Sequence, residues 1–366
     1  MIALTLGSVN WSTGGEMKKR NIRTFGKTFD FLKNPELRQK ETGDVLLVVE
    51  NAEFSGEQFE KMAWKNILFK NCDFVGGYEI GPERSIDVRY EDCRFSGILS
   101  FGMATNLSFL RCIWAGASVM FAEKNSKNVL FETCMFVGTS DDPNRQGTVG
   151  SEGEARYVNC SAKWFSWAGD ASLSINDCEC EGLSIHTDSA ANSGHDHLNA
   201  VVTIESSRLR GQFDMGASDL QSLTVLDTTM EHLDLRNATI QGDVVIERVK
   251  AGHIDANVKK ARSLRIRNSQ ILGNGKQIFD TYAGAIRFIE VDSVIFGGDL
   301  HSEPVTIAGG FSLKSADRIS NVNESITITN STIPSLDAAY LNTRQLVLKN
   351  SNLLRVDISN GRIADL

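Results

Sequence analysis

Runs in which apolar and polar residues alternate recur along most of the chain, and each run ends in the same short signature. The segments ILFKNCDFVG (67–76), DVRYEDCRFSG (87–97), LSFLRCIWAG (107–116) and VLFETCMFVG (129–138) superimpose on their cysteines. Each places apolar residues five and three positions before a small residue, an aromatic two positions after it and a glycine four positions after it. A two-residue period describes a strand with one buried face. The same signature continues where cysteine gives way to serine. It predicts small positions at Ala52, Cys72, Cys93, Cys112, Cys134, Cys160, Cys178, Ser207, Thr229, Val249, Ser269, Ser293, Ser315 or Ala316, Ser331 and Ser351. From Ala52 to Ser351 the steps average about 21 residues, a period that marks a solenoid.

Within a repeat, the residue before the small position is often Asn or Asp, as at Asn71, Asp92, Asn159, Asp177, Asn268, Asp292, Asn330 and Asn350. These side chains tolerate the left-handed backbone and bond locally, so they suit a sharp bend between two strands. The alternating, β-branched and aromatic runs favour strands over helices, and the leucine-and-asparagine consensus of leucine-rich repeats is missing. A left-handed pentapeptide repeat would need an apolar centre every five residues, which this chain does not have. The expected fold is an all-β parallel solenoid of about fifteen coils over 46–366, each coil burying its neighbour's apolar face. Residues 1–45 are expected to form a tail and a short helical cap, with Asn34 as N-cap and Pro35 at the first helical position. No cap is expected after Ser351, so the C-terminal coil is free to pair with another copy or another partner.

The recurring Asn-Cys/Ser-x-Phe-x-Gly coils resemble those of the pectin lyase-like right-handed parallel β-helices over roughly residues 45–360. That resemblance implies a right-handed solenoid. It implies little about activity, because the superfamily includes polysaccharide lyases, glycoside hydrolases, epimerases, phage tailspikes and non-catalytic domains. Lyases of that fold use an acidic calcium site and a basic proton acceptor, and neither maps onto a motif here.

Composition narrows the classes further. Of 366 residues, 41% are hydrophobic and 19 are Phe, enough for an extended core; 31 Gly against 5 Pro suits many short strands. A net charge of −8 argues against a broad nucleic-acid surface. Apolar stretches are too short for a membrane span, and Met1 to Gly15 lacks the pattern of a signal peptide. The expected location is therefore cytoplasmic, or outside the cell by a route without a cleavable signal. Met17 is an alternative start. Seven cysteines, all in core positions of the repeat, read as buried free thiols.

Chemistry is sought in the loops and on the outward strand positions. Loops 139–154 and 186–199 leave from the same part of the repeat and flank a coil carrying Trp164, Phe165 and Trp167. Trp164 and Trp167, with His186, Asp188, His195 and His197 of the second loop, form the candidate ligand-binding set, in which indoles stack on a sugar face. The histidine-rich loop is read as solvated, with no metal and no cofactor. A second set, Asp214, Asp234 and Asp255, falls on consecutive coils, within a series that continues to Asp299, Asp337 and Asp357. These carboxylates are the catalytic candidates if the protein is an enzyme, because glycoside hydrolysis needs a pair about 5–9.5 Å apart. Arg265, Arg267 and Arg287 are expected to form a small basic patch. The leading expectation is a non-catalytic scaffold presenting a rigid surface to a glycan or protein partner. The alternatives are a polysaccharide-processing enzyme and an acidic decoy for a nucleic-acid-binding protein.

Overall fold

The computed structural model describes residues 46–54, 64–75, 85–96, 103–115, 126–137, 153–167, 171–185, 200–215, 218–273, 286–297, 323–336, 338 and 341–357 most fully, with 362–365, a few residues near Asn34 and the backbone of intervening short strands. Nearly all of them lie in short parallel strands, as the alternation predicts. The fold is a parallel β-solenoid. Contacts divide it into Met1–Ala168 and Gly169–Leu366.

In the first unit, one ladder pairs Leu47–Glu50, Lys65–Lys70, Ser85–Glu91, Ala104–Leu110, Lys127–Glu132 and Ala155–Val158 in succession. A second ladder takes the strand after each bend: Ala52–Ser55, Asp73–Val75, Arg94–Ser96, Ile113–Ala115, Met135–Val137 and Ser161–Trp167. The core is two columns of aromatic rings. Phe69, Tyr90, Phe109, Phe131 and Tyr157 stack at 4.7–5.0 Å in one column. Phe54, Phe74, Phe95, Trp114 and Phe136 stack at 4.6–4.9 Å in the other. Rings of the two columns meet edge to face, for example Phe109 on Trp114 at 5.1 Å, the arrangement the ring quadrupoles favour.

The second unit repeats the plan with an aliphatic core. Ser172–Asn176, Val201–Glu205, Ser222–Leu226, Asp243–Glu247, Ala261–Arg267, Ile286–Asp292, Asn323–Thr329 and Asn342–Lys349 form its first ladder. Ile175, Ile204, Val225, Ile246, Ile266, Val291 and Ile328 fill the row that aromatics occupy in the first unit, and all are buried. Its second ladder runs through Glu179–Ile185, Arg208–Asp214, Thr229–Asp234 and Lys250–Asp255.

The bend before each small position is left-handed, as expected at Asn71 (φ 50°), Asp92 (φ 53°), Asn159 (φ 51°) and Asn268 (φ 50°). Arg111 and Arg248 occupy the same bend at φ 52° and 53°. Each offsets the less suitable residue type by a two-pronged bond to the aspartate one coil earlier, Arg111 to Asp92 at 2.7 and 2.8 Å and Arg248 to Asp227 at 2.7 and 2.8 Å.

Most of the small positions carry a side chain that can hydrogen-bond, whereas Ala52, Val249 and Val294 do not. Cys72, Cys93, Cys112, Cys134 and Cys160 are free and buried, and each thiol lies 3.3–3.5 Å from its own −2 carbonyl and from a carbonyl of the coil before. Cys178 and Cys180 are also free and buried. Serine does more. Ser207 Oγ donates to Glu205 O at 2.7 Å and accepts the Cys178 backbone N–H at 3.1 Å. Ser269 and Ser331 make the same pair of bonds.

Two assignments need correction by one residue. Thr228, not Thr229, is the buried small position, because Asp227 makes the bend. Val294 replaces Ser293, which is itself the left-handed residue at φ 56°. In both segments a neighbouring hydroxyl residue hid the register. The helical cap is not seen as an element among the described residues. What is described there is one capped turn, in which Leu37 N–H donates to Asn34 Oδ1 at 2.9 Å. The Ser315 and Ala316 positions lie outside the described residues.

Candidate functional site

Of the indole set, Trp164 and Trp167 are placed on Ser161–Trp167. Phe165 and Trp167 alternate inward, and Trp167 is 1% exposed with its indole N–H donated to Gly153 O at 2.9 Å. A ligand cannot reach that face, so Trp167 is corrected from binding residue to core residue. Gly153 is required beneath it, since a Cβ there would stand 2.5 Å from Ser126 O. Trp164 points the other way and is half-buried, beside the backbone of Thr148. His186, Asp188, His195 and His197 lie outside the described residues.

The carboxylate set is brought together. Asp214, Asp234 and Asp255 pair in register on successive coils, and Asp280 continues the row. The alternation around FDTY (279–282) carried that signal in the sequence, though it differs from the HLD and HID runs. Asp337 and Asp357 pair in the same way further on, whereas Asp299 lies outside the described residues. The outward aspartates are not simply solvated. Asp234 is 2% exposed and Asp255 8% exposed.

The local turn explains that burial. Asp234 Oδ1 accepts the Arg236 backbone N–H at 3.0 Å, and Asp255 Oδ1 accepts the Asn257 N–H at 3.1 Å. Each aspartate therefore closes the turn that follows its strand, a bond the short carboxylate is suited to make. Arg236 then folds back over the row, with Nη2 2.5 Å from Asp234 Oδ2 and Nε 3.6 Å from Asp255 Oδ2. The negative charge of Asp214 also acts on Arg236. On the same strands His232 and His253 stack at 4.7 Å, with planes 16° apart. The repeated His-x-Asp, at 232–234 and 253–255, was legible in the sequence as a pair, though spacing alone gave it no role.

These surroundings separate the two carboxylates. Burial opposes ionisation of Asp234, but the Arg236 side chain and backbone bonds outweigh it and hold its pKa below the usual value. Asp255 goes the other way: burial, reinforced by the negative charge of Asp234, raises it despite the Asn257 N–H. Among the described residues, no group of three or more His, Cys, Asp or Glu side chains is arranged to hold a metal ion.

The arginine patch is neutralised. Arg262 bonds Asp243 at 2.6 and 2.8 Å, Arg267 bonds Glu290 at 2.7 and 2.9 Å, and Arg287 bonds Glu324 at 2.8 Å. Arg265 lies between Asp243 and Glu290 at 3.9 and 3.8 Å. The outward face there mixes both signs. No family model matches the chain, and neither a curated protein nor a solved structure matches it.

Proposed function

We propose that this protein is a non-catalytic β-solenoid scaffold whose rigid outer faces bind a glycan or protein partner. One observation carries the reading: the carboxylates best placed for acid–base work, Asp234 and Asp255, are buried and already engaged by turn N–H groups and Arg236. A general acid or base must reach the substrate's proton. Trp164, half-buried and turned outward, is the remaining stacking residue for a glycan. The recurring Asn-Cys/Ser-x-Phe-x-Gly coils support kinship with the pectin lyase-like superfamily, whose members include non-catalytic domains. The mixed-sign face around Arg262, Arg265 and Arg267 gives no support to an acidic decoy.

The second reading, a polysaccharide hydrolase, draws on the opposed shifts of Asp234 and Asp255 on adjacent coils, a pattern shared with acid–base pairs. A panel of polysaccharides incubated with the wild-type protein separates the two. The scaffold reading expects no release of reducing ends, and on a glycan array it expects Trp164→Ala to weaken any retained glycan by roughly tenfold. Hydrolysis that disappears in both Asp234→Asn and Asp255→Asn would replace it with the enzyme reading.

A further inference from the structure

Among the described residues, Phe288 is the one phenylalanine, tyrosine or tryptophan that is exposed, at 40%. It lies on Ile286–Asp292, on the outward side of the first ladder of Gly169–Leu366, while Ile286 and Ile289 of the same strand are buried. Register sets it in a row of otherwise polar residues: Asp243, Ser263, Phe288, Ser325 and Gln345 follow one another on successive coils. The two serines beside it are too small to cover the ring. Arg287 stands over the ring, its guanidinium carbon 5.5 Å from the centroid, and is bonded to Glu324 at 2.8 Å. Two residues further along the strands, Arg265 and Glu290 are partners in register, with Nε 3.8 Å from Oε2. An apolar island one ring wide therefore stands in a frame of ion pairs on a hydrogen-bonded sheet.

We infer that Phe288 is the stacking platform of a second glycan subsite, one that takes an uncharged sugar ring. The size of the island selects the ligand. A pyranose presents one face of C–H groups, about as large as the phenyl ring, with hydroxyls around its rim. A stable protein partner would instead bury about 800 Å² around an apolar centre, far more than one ring supplies. The hydroxyl rim meets groups that can answer it. A guanidinium carries five N–H groups and a carboxylate about four acceptor positions, so Arg287–Glu324 and Arg265–Glu290 keep donors and acceptors beyond the contacts between them. Those four side chains are 34–63% open to solvent. Charge selects within the sugars. Each arginine of the frame faces a carboxylate, so no excess charge is offered to a uronate, a sulfated sugar or an amino sugar. Strands paired on both sides hold the ring and its frame in place, which lowers the ordering cost of a small ligand. The inference rests on the reading of the outer faces as glycan-binding, and adds to it a position and a ligand class.

Calorimetric titration of the full chain tests it, with neutral cello-, manno- and xylo-oligosaccharides and with acidic oligogalacturonates as probes. The wild type should bind at least one neutral probe, and Trp164→Ala should keep part of that binding. In the Trp164→Ala background, Phe288→Ala should weaken what remains by roughly tenfold. Phe288→Trp should keep or tighten it, because the larger ring stacks at least as well, and Glu324→Gln should weaken it severalfold. Phe288 is exposed, so its variants should melt with the parent protein. If a neutral probe binds the wild type but its binding vanishes in Trp164→Ala, or survives Phe288→Ala unchanged, this subsite is overturned and the scaffold reading stands. Preference for oligogalacturonates at the Phe288 position overturns the ligand class. A wild type that binds none of the probes removes the glycan reading, and this subsite with it.

Discussion

Single side chains in this solenoid decide whether a buried backbone group is satisfied, and the aspartate row shows the consequence most sharply. Asp234 is ionised and buried because Arg236 covers it. Removing that guanidinium leaves an ionised carboxylate with fewer partners, although Arg236 is itself largely exposed and solvent replaces part of the loss. Arg236→Ala should therefore cost about 1–3 kcal/mol near neutral pH. Asp234 has a lowered folded pKa, so its contribution is present above the unfolded carboxylate value and fades as pH falls through the folded one. The cost of Arg236→Ala should shrink accordingly in acid. Asp255 carries the opposite sign. Its folded pKa is raised, so the stability it contributes exists at low pH and is lost as pH rises through that value. Asp255→Asn keeps an oxygen for the Asn257 N–H and should be neutral to stabilising at pH 7, with no advantage at pH 3. Urea unfolding of the two variants at both pH values measures these effects; a strongly destabilised Asp255→Asn at pH 7 would contradict the assigned sign.

At the scale of the strand and its bend, the sequence was legible wherever one residue type carries the message. The positions at −5, −3, 0 and +2 around Cys72, Cys93, Cys112 and Cys134 face inward as the alternation requires, and Asn71 and Asp92 before the first two adopt the left-handed backbone, as do Arg111 and Thr133 before the others. Legibility failed at Ser293 and Thr229, where Ser and Thr suit both the bend and the interior. It failed too at a second left-handed row, Asn66, Asp87, Asn106 and Asn128, at φ 51–56° inside the first ladder of the first unit. Those residues look like ordinary outward polar positions, and only the pairing on either side, Lys65 with Ile86 and Ile67 with Val88, exposes the kink. Asn106 Nδ2 donates to Asp87 Oδ1 at 2.7 Å, and Asn128 Nδ2 donates to Asn106 Oδ1 at 2.9 Å. Asn106→Gly should lose only these exposed bonds while keeping the conformation. Asn106→Val adds a β-branched clash in the left-handed region, and should cost about 1–2 kcal/mol more than glycine. Equal thermal midpoints for the two variants would remove the conformational argument. The carboxylate row was half legible for a related reason. Its periodicity is visible in sequence, but the turn bonds that bury Asp234 and Asp255 depend on Arg236 and Asn257, residues that no spacing rule singles out.

For the molecule as a whole, the charge pattern sets the response to acid. Asp92, Asp227, Asp234, Asp243, Asp292 and Glu324 all have pKa values lowered in the folded protein; all but Asp292 pair with Arg111, Arg248, Arg236, Arg262 or Arg287, and Asp292 accepts bonds from Thr329 and Asn330. For Asp243 the value falls to about 2, where the Arg262 bonds outweigh the opposing burial and Ser263 adds a further bond. A lowered folded value means that the unfolded chain takes up protons first as pH falls, so unfolding becomes progressively more favourable. Above the ordinary carboxylate range both states are ionised at these groups, and the contribution is level. Asp255 alone opposes the trend among the shifted carboxylates described, and its raised value offsets part of the loss. Stability should therefore be nearly flat from pH 7 to about 5, then fall steadily between about pH 4 and 2. Most of these pairs are solvent-exposed, so added salt should lower the neutral plateau slightly and soften the acid slope by screening them. The buried thiols of Cys72, Cys112, Cys134 and Cys180 have no part in this range, because burial drives them upward, Cys180 to about 12. Thermal melts across that span, at low and high salt, would decide the matter. A midpoint that climbs from pH 5 to pH 3 would mean that repulsion among the aspartates, rather than their pairing with arginine, governs the folded state.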